Sequence, residues 1–241
     1  MKNHRTVNRK AATNIRIRGG ACRRGECRRA PAALACLTAL VLVPAALGGW
    51  LGAQTAPAPV GRAVRVIPRA DVTRAARTLR LNENDPLAEQ DRVRTGAGGR
   101  ARLSLVDGSI INVGQSSEFI VRAAQEASRA SALELRYGRL RAWVAGRTGG
   151  GSFQIRTNTA VCGVLGTTIF GEATRDLTRV ANVSEEETAL VRVTSTDARV
   201  THEVLLRPGE GTAVPSRRPP QPPRRWTREE MQAAYDDTDV Q

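Results

Sequence analysis

Cys162, His202 and an aspartate, Asp91 or Asp107, carry the types a nucleophile–base arrangement needs. The roles would be a thiol, an imidazole to take its proton and a carboxylate to orient the ring. Their surroundings argue for other roles. Cys162 lies between Val161 and Gly163 in an apolar run, where cysteine behaves as a small hydrophobe. His202 sits between Thr201 and Glu203, as on a solvated strand face. Asp107 precedes Gly108, which is hairpin chemistry rather than an acid site. Glu185, Glu186 and Glu187 are adjacent carboxylates without histidine or asparagine partners, a poor set for calcium. Arg92, Arg94, Arg100 and Arg102 would either line one face toward a polyanionic surface or form an ordinary solvated face. Thr167 and Thr168 fit cross-strand pairs. No catalytic, cofactor-binding or metal-ligating residue is assigned, and the chain reads as a non-enzyme.

The elements around these residues are short strands. Asp91 to Thr95 alternates before the Gly96–Gly99 turn, and Ala101, Leu103 and Leu105 point away from Arg100, Arg102, Ser104 and Val106. Asp107-Gly108 marks a hairpin between two such runs. Further runs surround Phe119–Val121, Leu133–Tyr137, Leu140–Val144, Phe153–Phe170, Arg179–Val183, Thr188–Thr194, His202–Leu206 and Thr212–Val214. Turn signals every ~8–12 residues predict an all-β module, a roll, solenoid-like stack or sandwich. Asp71–Leu81 fits a short helix as well as a strand. Residues 215–225, PSRRPPQPPRR, read as a stiff extended linker. Thr227 and Glu230 then form a capping-box pattern, with Trp226 and Met231 spaced as a hydrophobic staple. A short helix through about Tyr235 follows. It would either dock on the β core or serve as a partner-binding peptide anchored by Trp226 and Tyr235.

Charge is concentrated at the start. Residues 1–53 hold ten of the 37 Lys and Arg but one of the 23 acids, so the net charge of +14 falls to about +5 over the remainder. Aromatic residues make up 3% of the chain, too few for rows of base-stacking platforms, and nucleic acid is not an expected partner. The basic block leads into the apolar run Ala32–Leu47, an export signal. It is cleaved near Ala53, or it stays as an anchor over residues 31–53. Cys36 begins the apolar run rather than following it, which argues against lipid attachment. Arg23-Arg24 and Arg28-Arg29 are weak twin-arginine candidates. Cys22, Cys27 and Cys36 belong to this segment, which leaves Cys162 alone in the exported part. Neither a disulfide framework nor a thiolate zinc site is then expected. The divisions are thus 1–53 for targeting, 54–87 for linker and lead-in, 88–214 for the β domain, and 215–241 for linker and helix.

Over about residues 88–214 the chain resembles the FecR-type domain, the extracytoplasmic sensor module of iron-dicitrate-type signalling. The resemblance rests on Asp91-Arg92-Val93-Arg94-Thr95-Gly96, on Ala101 through Ser109, on Asn112-Val113-Gly114 with Ser117, and on Tyr137 through Arg141. It continues with Phe153–Thr157, Val164–Phe170 and Leu206–Gly211. Asn158 stands where that family usually has proline, and Leu165 where arginine is common. Val191–Val200 lacks the family's glycine. About 29 residues precede the apolar run, too few for a helical core. The resemblance therefore implies a stand-alone exported domain without a cytoplasmic anti-sigma domain.

Its expected function is that of a sensor or protein-interaction module in the cell envelope, periplasmic or held at the inner membrane by residues 31–53. The expected partner is an envelope protein, a receptor or regulator domain, docked by strand-edge pairing. No cofactor and no small-molecule substrate are expected. The alternative is a structural or carbohydrate-binding envelope module, for which Phe119, Tyr137 and Trp143 are the available aromatics.

Overall fold

The computed structural model describes residues 58–125, 130–146, 153–164 and 166–240. The expected export segment and Leu165 lie outside them. The first strands are β1 (Gly61–Ile67), β2 (Ala70–Arg74), β3 (Arg77–Leu81), β4 (Pro86–Leu87) and β5 (Arg92–Thr95). Next come β6 (Arg100–Leu105), β7 (Ile110–Val113), β8 (Glu118–Gln125) and β9 (Ala130–Trp143). The second half holds β10 (Phe153–Arg156), β11 (Ala160–Val164), β12 (Thr168–Ala173) and β13 (Leu177–Asn182). It closes with β14 (Val191–Ser195), β15 (Glu203–Leu206), β16 (Glu210–Pro215), β17 (Arg224–Arg225) and the helix α1 (Arg228–Thr238).

These strands form two sheets that share β9. Sheet A runs β4–β1–β6–β7–β9–β12–β13–β16–β17, and sheet B runs β3–β2–β5–β8–β9–β10–β11–β14–β15. Every pairing is antiparallel except β9 with β10. Strict alternation drives the layering: Arg100–Leu105 reads half-buried, buried, half-buried along its length, with Ala101, Leu103 and Leu105 inward. The inward residues of both sheets meet in one core, including Leu103, Ile111 and Ile169 from sheet A and Phe119, Phe153 and Ile155 from sheet B.

The separate runs Leu133–Tyr137 and Leu140–Val144 are parts of one strand, β9, and Gly138 lies inside it at the point where the strand leaves sheet B for sheet A. Leu133 and Leu135 face the core before it, and Leu140 and Ala142 after it, so the two-residue period slips by one. A φ of +95° absorbs the slip. A Cβ there would lie 2.5 Å from Ser117 Cα. The Ser117 hydroxyl in turn accepts from Arg139 N–H (2.9 Å), pinning β8 against the bend.

The helix-or-strand ambiguity of 71–81 resolves as the β2–β3 hairpin. Its turn is Ala75-Ala76, both at positive φ (44° and 67°), where Asn-Gly is the usual pair. Alanine carries no turn signal, which is why the sequence left the segment ambiguous. Thr73 and Thr78, their hydroxyls 2.9 Å apart, support the ladder. Replacing Ala75 by Asn together with Ala76 by Gly is expected to stabilise the fold by about 1 kcal/mol through relief of this strain. Thermal unfolding should rise by about 2–4 °C; a lowered midpoint would show that the turn is unstrained.

Two segments expected to be linkers are part of the fold. β1 pairs with β6 and β2 with β5, so residues 61–87 are structural strands and not a lead-in. Residues 215–225 fold back along β16, with Gln221 N–H donating to Ala213 O and β17 pairing with Glu210-Gly211.

Candidate interaction surfaces

Cys162, Asp91, Asp107 and His202 do not converge. Asp91 and Cys162 lie on or beside strands of sheet B separated by β8, β9 and β10, roughly 19 Å at ~4.8 Å per strand. Cys162 faces the core at 1% exposure, and burial pushes its thiol pKa up to about 12, so it stays protonated and inert. His202 is exposed ahead of β15. Asp107 accepts from Ser109 N–H (2.9 Å) within the β6–β7 turn. Glu185, Glu186 and Glu187 are exposed, and no cluster of three metal-ligating side chains occurs among the described residues.

Asp91 has a structural task that its sequence position conceals. The carboxylate is fully buried and receives Arg74 Nε (2.7 Å), Arg74 Nη2 (2.6 Å) and Ala88 N–H (2.8 Å). The same guanidinium donates to Pro86 O (3.0 Å). One acid thus ties the β2 end, the β4 segment and β5 together. In the second half Asn182 does the equivalent: its Nδ2 donates to Ala189 O (2.9 Å) and Leu206 O (3.1 Å), while Oδ1 accepts from Ser184 N–H (3.1 Å). Thr157, Thr159 and Thr178 form a buried hydroxyl chain with 2.7 Å links, ending on Val214 O. Asn158, at the position where the resembled family has proline, donates to Arg136 O (2.9 Å) and Thr174 O (3.1 Å). Thr167 bonds Asn182 rather than a facing strand threonine.

The four arginines considered as a stripe are divided. Arg92 and Arg94 stand on the outer face of sheet B near Asp71 and Glu118, whereas Arg100 and Arg102 stand on sheet A. No single basic surface results. The three aromatics are divided too: Phe119 is fully buried, Tyr137 lies beside Glu118 on sheet B, and Trp143 is exposed on sheet A.

Helix α1 packs on the part of sheet A around Phe170, Ala181 and Val183. Its capping box is complete, with Thr227 Oγ1 accepting from Glu230 N–H and the Glu230 carboxylate accepting from Thr227 N–H. Trp226 packs edge-on to Phe170 at 5.8 Å between ring centres. The indole lies so close to Gly211 that a Cβ there would meet its Cδ1 at 2.7 Å. Tyr235 donates to Val183 O (3.0 Å) under the Arg141 guanidinium, 4.3 Å from the ring centre. Trp226 and Tyr235, read as possible anchors for a partner, are thus both seated on the chain's own sheet.

The helix also runs past Tyr235 to Thr238. Asp236 and Asp237 at its C-terminal end oppose the helix dipole, yet Arg139 pairs with Asp237 (2.9 Å) and Arg100 donates to Asp236 O (3.0 Å). Sheet arginines therefore supply the positive charge that the last turn of the helix lacks. Beside α1 is a cleft of about 420 Å³ lined by Arg139, Arg179, Arg224, Glu172, Glu230 and Asp237. Its ions are mutually paired, as in Arg139–Glu172 (2.9 Å) and Arg224–Glu230 (2.6 Å), which leaves no net charge to attract a ligand.

The Arg224 guanidinium, and then Thr227 N–H, hold the Glu230 carboxyl at about 2, below its ordinary 4.5. A depressed folded value means the contact stabilises fully above about pH 4.5 and is lost as pH falls toward 2. Acid titration should therefore erode the helical circular dichroism band between these values, before the β signal goes. In Glu230→Gln that step should vanish; a native helix band unchanged down to pH 2 would refute the coupling.

Comparison with known proteins places these observations. No curated protein matches the chain. Two crystal structures of a proposed anti-sigma factor from Parabacteroides distasonis resemble it with a TM-score of 0.48 at 19% identity. The match covers 59% of this chain and 62% or 63% of that one, so it spans under two thirds of the relative's length. The family model described as FecR protein matches residues 91–187, from the buried Asp91 through the loop after β13. The chain carries a FecR-type domain at residues 91–187, set within a larger β unit that takes in β1–β4 before it and β14–β17 after it.

Proposed function

We propose that this chain is a non-enzymatic sensor or interaction module of the cell envelope, acting in signalling across a membrane through contacts with a receptor or regulator protein. The observation that carries the reading is the FecR-type domain at 91–187, combined with the use of its buried polar groups as structural ties. Asp91, Asn182 and the threonine chain are spent on holding strands in register. Recognition then falls to strand margins and outer faces, where backbone groups and paired charges are available. Residues 31–53 would export the β unit, with or without cleavage. Trp143 alone is a poor carbohydrate platform, so the binding-module alternative gains nothing from the geometry.

Deleting the gene and restoring it with the full chain should shift, and then reset, a small group of transcripts that share one promoter type. A transcript profile unchanged apart from the deleted gene would sink the signalling role. Fusing alkaline phosphatase after residue 241 should give an active enzyme, since that reporter folds only outside the cytoplasm; an inactive fusion would sink the envelope address.

A further inference from the structure

Two sheets sharing one strand leave four lateral margins, and three of them are blunted. On sheet A, β4 and β17 are two residues long, and β17 follows directly on Pro222-Pro223. The rest of the β1 margin is broken by a bulge at Val64, between Ala63 and Arg65. On sheet B, β3 carries Arg77 and Arg80 without an acid, so pairing with its own copy would gather four arginines at one seam. The fourth margin, β15, pairs with β14 and with no second strand among the described residues.

The sequence of β15 and its next residue is Glu203-Val204-Leu205-Leu206-Arg207. Glu203, Leu205 and Arg207 point outward and are exposed, Leu205 at 47%. Val204 and Leu206 point into the core and are buried. One acid and one base thus flank Leu205 at equal distance on one face. Glu203 reaches only Arg192, at 3.8 Å, and the Arg207 guanidinium makes no ion pair among the described residues. Arg207 N–H donates to the Glu210 carboxylate (2.9 Å), Arg207 O accepts from Glu210 N–H (2.9 Å), and Pro208 has no N–H, so the backbone margin ends at Leu206 while the Arg207 side chain stays outside it.

We propose that β15 pairs antiparallel with β15 of a second copy of this chain, about a two-fold axis through Leu205. The axis sets Glu203 opposite the second copy's Arg207 and Arg207 opposite its Glu203. Leu205 meets its own counterpart. Val204 faces the second copy's Leu206 on the inner side, so the two cores run together beneath the seam. The contact is isologous, which closes at two copies instead of propagating. The backbone ladder is confined to Val204–Leu206, with Glu203 and Arg207 adding side-chain pairs at its ends, so the dimer is weak and concentration-dependent. The inference goes beyond the signalling reading and does not depend on it.

The test is the weight-average mass of the full chain in non-ionic detergent, by sedimentation over roughly 10 µM to 0.5 mM, a range suited to a weak complex. The native chain should move toward twice the monomer mass. Glu203→Arg and Arg207→Glu each place like charges opposite one another twice, and each should weaken dimerisation by about tenfold or more. The double variant E203R/R207E reverses both charges and should return dimerisation to within about threefold of native. All three substitutions lie at exposed positions, and unchanged circular dichroism verifies the fold. A native chain that stays monomeric throughout would overturn the proposal. So would association that ignores the single substitutions, as contact through the apolar N-terminal segment would, or a double variant that fails to recover.

Discussion

Gly138→Ala is expected to be among the most damaging single substitutions in the chain. Two costs coincide there. An L side chain at φ +95° is strained by about 1 kcal/mol or more, and the new Cβ would sit 2.5 Å from the backbone Cα of Ser117. A flexible side chain could swing away from such a contact, but backbone can relieve it only by moving β8 or straightening β9. Either movement loosens Ser117, whose hydroxyl and carbonyl accept from Arg139 and Thr95. A loss of at least about 3 kcal/mol follows, read as a fall of about 6–12 °C in the unfolding midpoint for a unit of this size. A midpoint within about 2 °C of native would mean that β9 does not bend as described.

The second large effect belongs to Asp91. Removing its partner is expected to hurt more than removing both together. Arg74→Met strands a fully buried carboxylate with Ala88 N–H as its remaining donor, at a cost of about 3–5 kcal/mol. Asp91→Asn keeps the shape and one acceptor while leaving Arg74, itself half-exposed, free to turn into water, so about 2–3 kcal/mol is expected. The double variant should then lie closer to Asp91→Asn than to the sum, a coupling of at least about 1 kcal/mol in a denaturant cycle. Strict additivity would show that the bidentate bond contributes nothing of its own.

These two residues also mark how far the sequence could be read. The β6–β7 hairpin, the alternation of Arg100–Leu105 and the Thr227–Glu230 capping box are local, each specified within a few residues, and they stand as expected. What local pattern could not supply was pairing at a distance. Asp91 looked like one member of a motif, because its partner Arg74 lies 17 residues away in a segment that fitted helix as well as strand. The Pro/Arg-rich tail looked like a spacer; it is held to β16 by Gln221 and Thr212, contacts that composition cannot predict. Helix α1 extends past Tyr235 because arginines on β6 and β9 offset its acidic end. Placement was legible for two polar side chains, because Cys162 in an apolar run is a core thiol and His202 between polar neighbours is a surface imidazole.

The sharing of β9 has a consequence for how the molecule opens. Its N-terminal part is bonded to β8 on one side and β10 on the other, and its C-terminal part to β7 and β12. Ala132–Glu134 and Leu140–Trp143 thus carry a strand on each flank, while Leu135 and Tyr137 between them pair with β8 alone. Amides of Leu133, Glu134 and Leu140–Ala142 should therefore exchange with deuterated solvent only when the whole β unit unfolds, while those of β3 and β15 exchange through small local openings. Because the same backbone runs through both sheets, one cannot melt while the other persists. The two layers should unfold as a single cooperative unit.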